Sequence, residues 1–368
     1  KGEVRQALIA ALDAPAANAS SIHAEGRFAR ALLEAARANV ATLVGASPRE
    51  VVFTSGGSEA IAAAIRGMAD RAAPDKRRIV VSAIEHSAVL DAARALSPFG
   101  FECVEVKSPQ TGCIDAGAFA SALDDHTVLA CLQAANNETG VIQPVAEAGA
   151  ACRAAGVPFL IDAVQAAGKI PIDREGWNAD LLALSAHKLG GPQGAGALIV
   201  RGGLTMAPLI AGGAQERRRR GGTEAVAALS AFGAACAAAV RDLEQEAERL
   251  LTLRGRLESE LRAIAPGVRI HGEGVLRLPN TINAAFPGVS GETLVIALDL
   301  AGFAVSTGSA CASGAVTPSH VIRAMGYGDE EARGAVRVSL GWDTTDDTID
   351  QFLAALPRLL ARATMAGR

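Results

Sequence analysis

Between residues 51 and 200 the chain repeats one pattern: a short run that is apolar nearly throughout, a turn of small residues, then an Ala-rich stretch of helical length. The apolar runs lie at 51–54, 79–82, 102–106, 128–134, 158–162, 181–185 and 196–200. A strand with one wet face alternates polar and apolar positions; runs without alternation are covered on both faces, and helices between them imply mostly parallel pairing. The pattern predicts an α/β large domain, a mainly parallel seven-stranded sheet flanked by helices. After a Gly/Arg-rich stretch at 212–222, Leu250, Leu253, Leu257 and Leu261 recur at three- and four-residue steps, which predicts a long helix over 223–263. The remainder mixes short strands (281–286, 337–340) with helices (291–301, 345–363), a smaller α+β C-terminal domain. The expected division is 1–242 and 243–368. Residues 1–11 read as an amphipathic helix, so no signal peptide is expected there. No apolar run reaches the ~18–20 residues of a membrane span, and no membrane association is expected.

Composition narrows the function classes. The 368 residues hold 35 Lys and Arg against 39 Asp and Glu, a net charge of −4, and half are hydrophobic. A disordered chain and a basic nucleic-acid footprint are both excluded. Aromatic residues make up only 4%, so the core is mostly aliphatic. Six cysteines, at 103, 113, 131, 152, 236 and 311, include no C-x-x-C pair. Zinc and iron–sulfur ligand patterns are therefore missing, no metal is expected, and the thiols suit a reducing cytoplasm.

Several turns could carry chemistry. Thr54-Ser55-Gly56-Gly57-Ser58-Glu59 joins a strand to a helix start, where free backbone N–H groups and the helix dipole could seat a phosphate; a capping turn without ligand would look the same. Asp162, with Gln165 three residues on, ends an apolar strand, where open α/β sheets place ligands. A buried acid there calls for a cationic partner such as a protonated pyridine nitrogen, although a capping Asp is equally compatible. Lys188, flanked by Ser185 and His187, ends a later strand beside a glycine-rich loop, where desolvation could make it a Schiff-base nucleophile or where it could be a plain surface lysine. A phosphate seat, an acid and a lysine in this order together fit pyridoxal 5′-phosphate.

Other positions extend this picture. His86, in Glu85-His86-Ser87, could stack on a cofactor ring or be a structural histidine, and Asn137, in Asn136-Asn137-Glu138-Thr139-Gly140, could bond a ring oxygen or a substrate carboxylate or belong to a plain turn. Cys311 stands apart from the other thiols in the small, polar segment Ser309-Ala310-Cys311-Ala312-Ser313-Gly314, suited to a nucleophile that must reach a sulfur atom. Arg337, in a strand with apolar neighbours, could grip a carboxylate in bidentate fashion. The arginines at 217–220 are too few for nucleic acid and leave a solvated loop, an anion site or a subunit contact open.

Read together, these motifs make the chain resemble the cysteine desulfurases of the NifS/IscS type, fold-type I enzymes of the class V aminotransferase group. The likeness runs from Ser20-Ser21-Ile22-His23 through the segments above and Gln215–Thr223 to Arg337–Ser339. The resemblance implies that Lys188 carries pyridoxal 5′-phosphate, Asp162 pairs with its ring nitrogen, His86 stacks on the ring, and Gln165 and Asn137 bond near its hydroxyl. It implies that Gly57, Ser58, Ser185 and His187 hold the phosphate with Thr223 of a second subunit, so that a homodimer is the functional unit. Arg337 would bind the carboxylate of L-cysteine, with Asn137 nearby. Cys311 would take the sulfur as a persulfide, leave L-alanine, and pass it to an iron–sulfur scaffold or a sulfur relay protein. A related class V lyase, aminotransferase or epimerase, or an impaired sulfur-relay subunit, is the alternative. Three departures accompany the likeness: the chain begins at what corresponds to the helix after the family's usual first strand, Arg218 stands where members often have Gly, and Trp342 where many have Arg.

Overall fold

The computed structural model describes residues 1–15, 17–308 and 318–365. They group into two compact units: 1–106, 116–134 and 144–243 in the first, and 107–115, 135–143 and 244–368 in the second.

The first unit is built on seven strands, β1 (Val51–Thr54), β2 (Arg78–Ser82), β3 (Glu102–Val106), β4 (Thr127–Gln133), β5 (Phe159–Asp162), β6 (Leu181–Ser185) and β7 (Gly196–Val200). Their order is β1-β7-β6-β5-β4-β2-β3. The pairs from β6 through β5, β4 and β2 to β3 are parallel, and β7 is antiparallel to both β1 and β6. β1, β4, β5, β6 and β7 are buried at every position, because helices cover both faces. Edge strand β3 instead places Glu102 and Glu105 toward water, which blunts an open edge. Helix Gly57–Ala69 lays Ile61, Ile65 and Met68 on the sheet beside Val81 and Leu129. Phe119 and Phe159 meet edge to face at 6.2 Å.

The Gly/Arg-rich stretch is more than a solvated loop. Glu216 is buried and takes two hydrogen bonds from Arg37, at 2.8 and 2.7 Å, and one from the Phe53 N–H at 2.8 Å, which ties the stretch to β1. Arg217 and Arg218 point to solvent, while Arg220 pairs with Glu59 at 3.0 Å.

Helix Val226–Ile264 corrects one expectation: an 18-residue window within it has a mean hydropathy of 1.5, long and apolar enough to cross a membrane. Its Ala content supplies that value without an unbroken apolar run, and Leu229, Phe232, Ala235 and Cys236 are buried in the protein.

The second unit carries an antiparallel sheet, β8 (Arg269–Ile270), β9 (Thr281–Ala285), β10 (Ser306–Thr307) and β11 (Ala335–Ser339), in the order β10-β11-β9-β8. Leu250, Leu253, Leu257 and Leu261 pack with Ile282, Leu294 and Phe352 in its core. The strands β8 and β10, two residues each, are too short to leave a periodic signature. Segments 107–115 and 135–143 join this unit through hydrogen bonds: Leu278 N–H to the Gly140 carbonyl at 2.7 Å, Ile142 N–H to the Leu276 carbonyl at 2.9 Å, and Gln143 Nε2 to the Gly112 carbonyl at 2.8 Å.

Candidate active site

In the first unit, the turn after β1 is shaped by close packing. A Cβ on Gly57 would fall 2.8 Å from Val164 Cγ2 and 3.5 Å from Ser185 Cβ, so only a glycine lets the start of helix Gly57–Ala69 come this close to the ends of β5 and β6. The first amides of that helix, at Gly57, Ser58 and Glu59, lack intrahelical carbonyl partners and carry the positive end of the dipole. Glu59 folds back, accepting the Ser55 N–H at 2.8 Å and pairing with Arg220. Burial raises its pKa, but the Arg220 and Ser55 hydrogen bonds prevail and hold it below the ordinary carboxylate value. Ser58 stays exposed and available.

Asp162 ends β5, buried, with Oδ1 accepting the Val164 N–H at 3.0 Å. Burial raises its pKa, against the pull of that N–H and of charge on His86 and Lys188. Lys188 sits in the turn Ala186–Leu189, closed by Gly190 at φ +85°. His86 caps helix Ser87–Arg94 by accepting the Ala88 N–H at Nδ1, 3.0 Å, which orients the ring. Ser185 Oγ and His187 Nδ1 are 2.9 Å apart, and burial, then the charges of Lys188 and Lys169, lower the His187 pKa. The structure thus gathers Gly57, Ser185 and His187 beside one another, and sets Asp162, His86 and Lys188 within electrostatic reach. Gln165 follows Asp162 on the same turn, its carbonyl accepting from Lys169 Nζ at 2.9 Å.

Two residues of this neighbourhood were not singled out in the sequence. Glu85 is fully buried, accepting Ser82 Oγ at 2.5 Å and the Gln133 N–H at 2.9 Å; burial, reinforced by the Asp162 charge, pushes its pKa up to about 8. Lys169 donates to the carbonyls of Gln165 and of Lys188, the latter at 3.3 Å, and burial followed by the Lys188 charge brings its pKa down to about 7. Its spacing of four from Gln165 is the one signal that could have found it.

Asn137 and Arg337 belong to the second unit, where Arg337 Nη1 donates to the Asn137 carbonyl at 3.0 Å. Asn137 Oδ1 is buried with no hydrogen-bond partner among the described residues. Its turn is fixed by the Glu138 and Thr139 N–H groups, both 2.9 Å from Asn136 Oδ1. Thr223, in the first unit, is exposed and lines a cavity of ≈ 190 Å³ with Thr54, Ser55, Gly194 and Arg220. Cys311 lies outside the described residues.

The donor set fits pyridoxal 5′-phosphate. A phosphate monoester matches the helix start with Ser58, Ser185 and His187, and a buried acid at a strand end matches a ring nitrogen that becomes cationic on protonation.

The family model described as aminotransferase class-V matches residues 2–352. The cysteine desulfurase IscS of Dictyoglomus turgidum is 39% identical over 360 residues, covering 98% of this chain and 91% of its own. A solved NifS-like protein superposes with a TM-score of 0.91 at 34% identity, covering 98% of this chain and 96% of that one. A second solved structure, SspA in complex with cysteine, has a TM-score of 0.82 at 31% identity, covering 92% and 95%. With the family model spanning nearly the whole chain and such relatives matching end to end, the chain belongs to the class-V aminotransferases and, among them, to the cysteine desulfurases of the NifS/IscS type.

Proposed function

We propose that the protein is a pyridoxal-phosphate-dependent cysteine desulfurase that converts L-cysteine to L-alanine and takes the sulfur as a persulfide on Cys311. The observation that carries this reading is the buried Asp162 at the end of β5, within electrostatic reach of both His86 and Lys188, in a chain of this family. Bound cofactor supplies an electron sink for the charge that develops at the substrate α-carbon.

The chain's own residues do the rest. Lys188 anchors the cofactor, and its amine, once released, moves the α-proton as base and then acid. Asp162 holds the ring nitrogen, His86 stacks on the ring, and Gln165 and Asn137 face its hydroxyl. Gly57, Ser58, Ser185 and His187 bind the phosphate together with Thr223 of a second copy, which makes a homodimer the working unit. Arg337, with Asn137, receives the substrate carboxylate. The Cys311 thiolate attacks the substrate sulfur; the new S–S bond forms as the C–S bond breaks, and its electron pair returns to carbon, which ends as alanine after protonation. The persulfide then passes to an acceptor thiol on an iron–sulfur scaffold or sulfur relay protein. A reducing cytoplasm suits this chemistry and the free thiols of Cys103, Cys113, Cys131, Cys152 and Cys236.

The test supplies L-cysteine to the holoenzyme, measures alanine and sulfide, and maps added sulfur by mass. Alanine formation with one extra sulfur on Cys311 is expected, lost in Lys188→Ala. Normal turnover by Cys311→Ser would refute the persulfide role, and absence of alanine would refute desulfuration.

A further inference from the structure

Glu138, which the proposed chemistry does not use, is the centre of a buried polar cluster in the second unit. It is 1% exposed. Its N–H is fixed by Asn136 Oδ1 and its carbonyl accepts from Asn283 Nδ2 of β9 at 3.3 Å, so the residue is anchored to the sheet through its backbone. That leaves the carboxylate for another task.

Oε2 accepts Ser319 Oγ at 2.5 Å. Ser319 in turn caps helix His320–Ala324, its Oγ accepting the Ile322 N–H at 3.1 Å. Beside that carboxylate oxygen stands Gly308, directly after β10. A Cβ there would collide with Glu138 Oε2 and fall 2.9 Å from Ser319 Cβ and 3.2 Å from Ser319 Oγ. Gly308, Glu138 and Ser319 therefore touch one another, and the carboxylate sits where no larger residue at 308 leaves room. Burial raises the Glu138 pKa, opposed by the Ser319 hydrogen bond and by positive charge on His320 and Arg337.

Gly308 and Ser319 bracket the ten residues 309–318, among them Cys311. We propose that Glu138 is a positioning residue whose buried carboxylate clasps Gly308 to Ser319 and so fixes the two chain ends between which the nucleophilic thiol is carried. Residues that flank a reacting group help to set its position, and small misplacements of such a group are costly. The effect on turnover rests on the desulfurase reading; the clasp itself does not.

The experiment compares parent, Glu138→Ala, Glu138→Gln and Ser319→Ala holoenzymes. Three quantities are read: the cofactor absorbance change on adding L-cysteine, the rate of persulfide formation on Cys311, and the rate of Cys311 alkylation by iodoacetamide against Cys113 in the same sample. Glu138→Ala is expected to keep the absorbance change while persulfide formation falls roughly tenfold or more. Ser319→Ala should fall less, and Glu138→Gln, whose amide oxygen can still accept from Ser319, should recover most of the rate. Persulfide formation in Glu138→Ala within about twofold of the parent overturns the proposal, as does an absorbance change that falls in step with it, which would place Glu138 in substrate binding. If the parent forms no persulfide, the desulfurase reading fails instead. The alkylation rates then decide: a severalfold difference between parent and Glu138→Ala sustains the clasp, and equal rates end it. Should Glu138→Ala not fold, Ser319→Ala takes its place as the variant expected to lose rate, with Glu138→Gln as the one expected to keep it, and a Ser319→Ala rate equal to the parent's overturns the proposal.

Discussion

Glu85 shows how burial, reinforced by a neighbouring acid, sets a residue's protonation. With a folded pKa of about 8 against an ordinary value near 4.5, it keeps a proton that the unfolded chain releases across that interval. The folded state then binds more protons than the unfolded one, so this residue's contribution to stability falls as pH rises from about 4.5 to 8, by at most about 1.4 kcal/mol per pH unit. Glu85→Gln should flatten that part of the profile: urea midpoints of variant and parent, measured across the interval, should diverge in the variant's favour toward pH 8. Arg218 carries a different cost. It sits at φ +63°, after Glu216 at +44° and Arg217 at +55°, in the left-handed region that favours glycine. A left-handed non-glycine residue costs roughly 1–2 kcal/mol, and glycine's extra unfolded-state freedom returns roughly 0.5–1 of it, so Arg218→Gly should stabilise by about 0.5–1 kcal/mol. A raised urea midpoint at unchanged slope is the readout. Asp162, Lys188 and His86 were legible as candidates because each follows an apolar run that the sheet must bury. Lys169 and Glu138 were not, because a lysine in a turn and an acid after Asn-Asn look solvated until their distant partners are known.

At the scale of elements, the candidate site depends on how tightly strand ends and helix starts approach. β7 brings Gly196 against the turn that precedes helix Gly57–Ala69: a Cβ there would lie 2.6 Å from Gly56 Cα and 2.7 Å from the Leu184 carbonyl oxygen. Both obstacles are backbone and cannot swing aside. Gly196→Ala should therefore destabilise by about 1–3 kcal/mol. It should also weaken binding of pyridoxal 5′-phosphate more than that of pyridoxal, as read by absorbance titration, because the displaced element is the proposed phosphate seat. Five strands of the first sheet, β1 and β4 to β7, were readable since double burial leaves nearly unbroken apolar runs, whereas edge strand β3 carries Glu102 and Glu105 on its wet side. β8 and β10 were not, since two residues have no period, and neither was the membership of 107–115 and 135–143 in the second unit, which rests on backbone hydrogen bonds that no side-chain pattern announces.

For the whole molecule, the proposed homodimer has a direct consequence. If Thr223 serves the partner's site, Lys188→Ala and Thr223→Ala chains each spoil a different half of it. Mixed dimers then hold one intact site, and refolding the two variants together should restore cysteine turnover well above the sum of the separate proteins. No recovery, with mixed dimers demonstrated by mass, would place Thr223 in its own chain's site. The sequence alone determined the fold class, the order of the strands along the chain and the residues worth testing, because hydrophobic periodicity and turn chemistry are local properties of consecutive residues. Tertiary structure decided the rest: that β7 runs antiparallel, that Glu85 and Lys169 are desolvated beside Asp162 and Lys188, and that Glu138 meets Ser319 across 181 residues of chain. Strand direction, desolvation and contact between distant residues are set by what packs against a group, and that is known only once the chain has folded.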